Sequence, residues 1–200
     1  MEKRTYSVSY ETKRALASAL KQLMAQKPLE KITIQELTGL CGMKRQNFYY
    51  HFEDIYDLLR WMFEEEAVPL LKHREGEQLW QEGILQLFQY LQENRAVCLC
   101  AWRSLGRGHM KRFFSAEIYA VIHRTIETLG QKIGYTKEDE ACFLDWMTQI
   151  YVTALAGIME NWLLGELDYT PEELVSFVDT ILQDQIRGAA LRFRSGEQTP

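Results

Sequence analysis

The sequence predicts an all-α protein in which three short N-terminal helices precede a larger helical body. Two observations carry this. Apolar residues recur at three- and four-residue spacing from Ala15 to Ile186, and no stretch of useful length alternates with period two. A third observation is the punctuation: Lys27-Pro28, Cys41-Gly42, Val68-Pro69, Asn94-Arg95, Gly106-Arg107-Gly108, Gly134-Tyr135-Thr136 and Gly165 to Thr170 cut the chain into helix-sized pieces.

The elements follow in order. Ser9 is a candidate N-cap for a helix from Tyr10 to about Gln26, with Ala15, Leu16, Ala19, Leu20 and Leu23 on one face. Thr33 followed three residues later by Glu36 is a capping box, so a second helix starts at Ile34 and turns Leu37 and Leu40 inward. Gly42 ends it, being free to take the positive φ of a sharp turn. The third helix must be short, because about two turns separate Met43 from Glu53-Asp54, which open the fourth. Ile55, Leu58, Leu59, Met62 and Phe63 stripe that fourth helix, which ends near Val68-Pro69 and connects head to body. Helical patterns then run over about 77–92, 97–105, 109–133, 138–164 and 171–193. Thr170-Pro171-Glu172-Glu173 is a helix start in which a cap, a proline in the first turn and acids at the positive end of the dipole coincide. The tail RSGEQTP is expected to fray.

With 200 residues and 46% hydrophobic content the chain can bury a sizeable core. No apolar run reaches the roughly 18 to 20 residues of a membrane span. The N-terminus MEKRTYSVSYETKR lacks the apolar centre of a signal peptide. A cytoplasmic location is expected, with the cysteines at 41, 98, 100 and 142 as reduced thiols. The net charge of -5 hides a division: residues 1–60 hold ten Lys or Arg against seven Asp or Glu, +3, and the remainder thirteen against twenty-one, -8. A mildly basic head on an acidic body suits an anion-binding N-terminal segment.

The segment Lys31 to Leu59, KITIQELTGLCGMKRQNFYYHFEDIYDLL, has the layout of a helix-turn-helix. Thr33-Ile34, Leu40-Cys41-Gly42-Met43, Asn47-Phe48-Tyr49-Tyr50-His51-Phe52 and Asp57-Leu58-Leu59 stand where such a reading head needs them. In these elements residues 9–63 resemble the DNA-binding domain of the TetR family of bacterial transcription regulators. The resemblance implies a DNA-binding domain over 1–53 and a C-terminal regulatory and dimerisation domain over 54–200. Lys44, Arg45, Gln46 and Asn47 sit at the front of the recognition helix, where Arg suits guanine O6/N7 and Gln or Asn suits adenine N6/N7. Tyr49, Tyr50 and His51 lie at its far end, where the family uses such residues on phosphate, fixing register without reading bases. Thr33 is assigned to phosphate at the capped start of helix two. Phe48 and Phe52 read as core; Tyr50 suits core or phosphate equally. The chain departs from the family at Glu53-Asp54-Ile55, where many members carry Lys-x-Lys. The acids stabilise a helix start but repel DNA, with Lys3, Arg4, Lys13 and Arg14 available to compensate.

The resemblance also implies a homodimer through the last two helices, and hence a near-palindromic double-stranded operator. The apolar content agrees. Phe143, Trp146, Met147, Ile150, Leu155, Ile158 and Met159 cover more than one face of one helix. Leu174, Phe177, Val178, Ile181, Leu182 and Ile186 stripe the other, and Ala154, Ala156 and Gly157 permit close approach. The run Trp162-Leu163-Leu164-Gly165, then Tyr169 to Leu174, together with FYYHFEDIYDLL, is similar to the subgroup linked to dihydroxyacetone kinase operons. That similarity implies a co-regulator protein, with activation as an alternative to repression.

For a small-molecule inducer the candidate lining is Trp80, Trp102, His109, His123 and Tyr151; the competing reading is that these rings fill a helical core. Cys98-x-Cys100 with His109 has the softness of a metal or thiol sensor. Residues two apart on a helix point about 200° apart, however, so no metal is assigned, and no cofactor. An enzyme is not expected: there is no HExxH, GxSxG, phosphate-binding glycine loop or Glu-x-x-His pair. The alternative to an operator-binding regulator is a module of the same fold that serves protein interaction with weak DNA affinity.

Overall fold

The computed structural model describes residues 2–72, 79–105, 118–128, 131 and 137–194, and all its regular structure there is helical. The helices are α1 (Glu2–Met24), α2 (Ile34–Leu40), α3 (Arg45–Tyr49), α4 (Ile55–Glu66), α5 (Val68–Lys72), α6 (Leu79–Glu93) and α7 (Arg95–Leu105), followed by α8 (118–128), α9 (Lys137–Leu164) and α10 (Pro171–Arg194). A single 3-10 turn, Leu29–Lys31, sits between α1 and α2. The chain divides into two compact units, residues 1–69 with 94–110 and residues 70–93 with 111–200.

In the first unit α1 is the spine. Its buried face, Leu16, Ala17, Ala19, Leu20 and Met24, receives α2, α4 and α7. The helix starts at Glu2, so Ser9 is an interior residue rather than the expected N-cap. No glycine or proline lies between Met1 and Lys27, so nothing in that stretch obliges the helix to begin at Ser9. The nearby Thr12 hydroxyl bonds back to the Val8 carbonyl at 2.9 Å, as hydroxyls inside helices do. α4 turns Leu58, Leu59, Met62 and Phe63 into the same core, all at 1% exposure or less. Pro69 occupies the first turn of α5, where its missing N–H costs nothing.

In the second unit α6 lies against α10 and α9. Gly83 of α6 sits at a close approach: a Cβ there would stand 3.2 Å from the Leu70 carbonyl oxygen. α9 ends at Gly165, φ 80°, where Glu166 N–H reaches Asn161 O at 2.8 Å and Gly165 N–H reaches Trp162 O at 3.0 Å. The Trp162 indole N–H then holds the following loop through Tyr169 O at 2.9 Å, while its ring meets buried Phe88 edge-on at 5.1 Å between centroids. α10 begins as its sequence requires: Thr170 and Glu173 exchange hydrogen bonds of 2.8 and 3.2 Å, with Pro171 as the first helical residue. The expected helix over 109–133 lies partly outside the described residues.

Candidate nucleic-acid interface

The candidate interface is built on α2, a four-residue turn and α3. Thr33 caps α2: its hydroxyl accepts from the Glu36 N–H at 3.3 Å, and the Glu36 carboxylate accepts from the Thr33 N–H at 2.9 Å and its hydroxyl at 2.8 Å. Glu36 also takes the Lys27 ammonium at 2.5 Å. The Thr33 hydroxyl is thereby held within the cap. The Lys27 ammonium first, then the Thr33 N–H and hydroxyl, hold the Glu36 carboxyl at about 2 against an ordinary 4.5. A carboxyl depressed on folding stabilises the folded state above its unfolded value and loses that effect as pH falls through its folded value. The thermal midpoint of the wild type should therefore exceed that of Glu36→Gln near neutrality, and the gap should close as pH falls from 4.5 toward 2. Equal gaps at pH 7 and at the acid end, measured by circular dichroism, would refute this role of Glu36.

The turn after α2 is a hydrogen-bonded C-cap. Gly42 takes φ 62°, its N–H reaching Gly39 O at 3.1 Å and the Met43 N–H reaching Thr38 O at 2.8 Å. The Cys41 thiol pins the turn to α1 through the Ala15 carbonyl at 3.4 Å. Leu37 is buried as expected, but Leu40 is not: it is 51% exposed. Leu40 is the last residue of α2; the second buried residue of the helix is Thr38, whose hydroxyl donates to Ile34 O at 2.9 Å.

α3 is five residues long with Lys44 as its N-cap. Lys44, Arg45, Gln46 and Asn47 are all exposed, whereas Phe48 behind them is 0% exposed and Phe52 4%. Phe48 meets Phe52 at 5.8 Å and Tyr49 edge-on at 5.6 Å between ring centroids, so a core aromatic anchors the polar front. Tyr49 is 49% exposed and Tyr50 82%, which places the Tyr50 ring outside the core. His51 is half-buried with Nδ1 3.5 Å from the Ser9 hydroxyl, and burial first, then the Lys13 charge, lowers its pKa. Arg45 Nη2 donates to the Tyr49 hydroxyl at 2.9 Å, with its guanidinium 5.5 Å from the Tyr49 ring centroid; residue types alone gave no sign of this pairing.

The basic residues of α1 and its neighbours are differently placed. The Lys13 ammonium lies over the Phe52 and Trp61 rings at 5.5 and 5.6 Å, and Lys21 pairs with Glu66 at 2.7 Å. Arg14 is exposed, while the Lys3 and Arg4 side chains lie outside the described residues. At the start of α4 the two acids differ. Asp54 is the N-cap, accepting from the Asp57 N–H at 2.8 Å, and Asp57 in turn accepts from the Glu53 N–H at 3.1 Å and pairs with Arg60. Glu53 is exposed, and among the described residues its carboxylate has no ion pair.

The residues suggested for an inducer fall in both units. Trp80, His123 and Tyr151 belong to the second; Trp102 belongs to the first; His109 lies outside the described residues. Trp80 is 4% exposed and Tyr151 5%, the latter donating its hydroxyl to Gln185 at 3.1 Å. His123 stacks on Tyr119 at 5.5 Å, and both reach Asp145, Tyr119 by a 3.2 Å hydrogen bond and His123 at 3.9 Å. Cys98 is fully buried and its thiol is pushed up to about 12 by burial, while the half-buried Cys100 bonds the Lys27 carbonyl at 3.6 Å. Among the described residues no group of three or more His, Cys, Asp or Glu could hold a metal, and no helix is long and apolar enough to cross a membrane.

Comparison with known proteins agrees with this geometry. Residues 78–184 match the TetR_C_8 family, described as a transcriptional regulator C-terminal region. A curated relative, the HTH-type dhaKLM operon transcriptional activator DhaS of Lactococcus lactis subsp. lactis, is 31% identical over 84 residues. That alignment spans 42% of this chain and 45% of the relative's length. A solved structure titled dihydroxyacetone kinase operon activator DhaS has the same fold, with a TM-score of 0.71 at 23% identity over 88% of this chain and 96% of that one. With an all-helical fold, a capped helix-turn-helix at one end and a matching C-terminal region over residues 78–184, the chain belongs to the TetR family of transcriptional regulators.

Proposed function

We propose that the chain binds a near-palindromic DNA operator as a homodimer and regulates transcription under the control of a small molecule or a partner protein. One observation supports this above the others: four consecutive polar side chains, Lys44 to Asn47, stand exposed at the front of a short helix fixed to the core by Phe48. Side chains in that position reach base edges in a major groove. Lys44, Arg45, Gln46 and Asn47 are assigned to bases, and Tyr50 and His51 to the phosphate backbone, with Thr33 beside them at the capped start of α2. In the body, Trp80, His123 and Tyr151 are the residues we assign to the surroundings of an inducer. The curated relative is named a transcriptional activator, which favours activation over repression.

Fluorescence anisotropy with the duplex flanking the chain's own gene tests the reading. Binding that prefers that duplex and weakens with salt is expected; its absence at low salt would leave the second reading, a protein-interaction module of the same fold. Exposed Glu53 favours that second reading, since its charge opposes phosphate near the helix-turn-helix. On the regulator reading, Glu53→Lys should tighten binding to all duplexes and steepen the salt slope by about one unit. Asp54→Ala should instead cost about 1 kcal/mol of stability through the lost cap. No change of slope in the Glu53 variant would show that the acid does not face phosphate.

A further inference from the structure

Resting on the operator-binding reading, we infer that Tyr49 is a positioning residue for base recognition, holding the Arg45 guanidinium before DNA arrives. Residue type suggested a division of labour in which Arg45 reads a base and Tyr49 touches phosphate. The two side chains are instead one assembly. Arg45 Nη2 lies 2.9 Å from the Tyr49 hydroxyl, and the guanidinium lies 5.5 Å from the ring centroid. The ring is itself fixed, because Phe48, 0% exposed, meets it edge-on at 5.6 Å and 89°. A continuous path of side-chain contacts therefore runs from the core through Phe48 and Tyr49 to an exposed arginine.

The chemistry of the pair suits recognition rather than mere surface pairing. A guanidinium has five N–H donors, and one bond to Tyr49 leaves four, enough for a two-point contact with guanine O6 and N7. An exposed arginine otherwise loses much of its rotamer freedom on binding. A side chain already held in place loses less of that freedom at the moment of contact. The pairing also lies along the helix surface, four residues apart, so it survives any rigid docking of α3.

Anisotropy titrations of the full chain against its own upstream duplex, each single-base variant of it, and an unrelated duplex test the inference. Tyr49→Phe, which keeps the ring and removes only the hydroxyl, should reduce discrimination at one base pair of each half-site by about tenfold. Its binding to the unrelated duplex and its salt slope should match the wild type. Arg45→Ala should lose discrimination at that same base pair while its salt slope stays close to that of the wild type, since the residue is assigned to a base and not to a phosphate. The double variant should lose no more discrimination there than Arg45→Ala alone, since the two residues act as one. Arg45→Lys, which keeps the charge but not the fork, should repeat the loss at that base pair. Uniform weakening of all duplexes by Tyr49→Phe, additive losses in the double variant, or tighter binding on removal of the hydroxyl would each overturn the positioning role while leaving the regulator reading intact. A wild type with no preferred duplex would sink both, and is distinguished by needing no variant at all.

Discussion

Replacing Trp146 and Phe177 together by glutamate should convert the protein to a monomer and lower operator affinity by roughly 10²-fold or more. α9 and α10 each have two apolar faces. Met147, Val152, Leu155, Met159 and Leu163 of α9, and Val175, Val178, Leu182 and Ile186 of α10, are buried within the chain. Trp146 is 67% exposed, Ile150 53%, Phe177 68%, Ile181 39% and Leu191 68%. Trp146 and Ile150 are four apart, as are Phe177 and Ile181, so each pair forms a stripe along its own helix. Burying one such side chain contributes about 2 kcal/mol, and in the proposed twofold dimer each contribution would count twice. A carboxylate in the middle of such a stripe must be desolvated without a partner. On the operator-binding proposal such a monomer would keep its recognition helix but bind through one half-site only. Sedimentation velocity alongside anisotropy checks both halves of the expectation; a dimer that persists in the double variant would place the interface elsewhere.

Phe48→Ala should cost about 3–5 kcal/mol and abolish operator binding through loss of the head rather than loss of a contact. The ring is wholly buried and meets Phe52 and Tyr49, so its removal opens a cavity under the short stretch of backbone that carries Lys44 to Asn47. α3 has five residues and no side-chain N-cap. A helix that short has no stability of its own and depends on what it packs against. Domains of this size hold about 5–15 kcal/mol in total, so the loss is a large fraction. Thermal unfolding with Phe48→Leu as the graded control decides it. A midpoint for the alanine variant within a degree or two of the wild type would mean that α3 is held by something other than this ring.

Both expectations turn on which parts of the molecule were specified locally. The capping box of Thr33 and Glu36, the positive φ of Gly42, the start of α4 behind Asp54 and the start of α10 at Pro171 are all set within four residues of chain. Sequence reasoning reached each of them because capping and backbone freedom are local properties. The start of α1 was different: Ser9 is a good cap, yet the helix passes through it, because a cap residue favours a beginning without forbidding continuation. Leu40 shows a second kind of miss, since helical spacing gives the face a residue shares but not whether a neighbour reaches that far along it.

By itself, then, the sequence determined the helical class, the helix-turn-helix and its polar front, because periodicity, caps and glycine φ depend on a few adjacent residues. Tertiary structure alone decided how those residues are engaged: Lys13 lies over Phe52 and Trp61, the Thr33 hydroxyl is kept by Glu36, and Tyr50 is left outside the core. It also separated the two apolar faces of α9 and α10 and brought Arg45 onto Tyr49. The physical reason is the same in each case. Burial and hydrogen bonding between side chains depend on rotamers and on neighbours distant in sequence, and a one-dimensional pattern records neither.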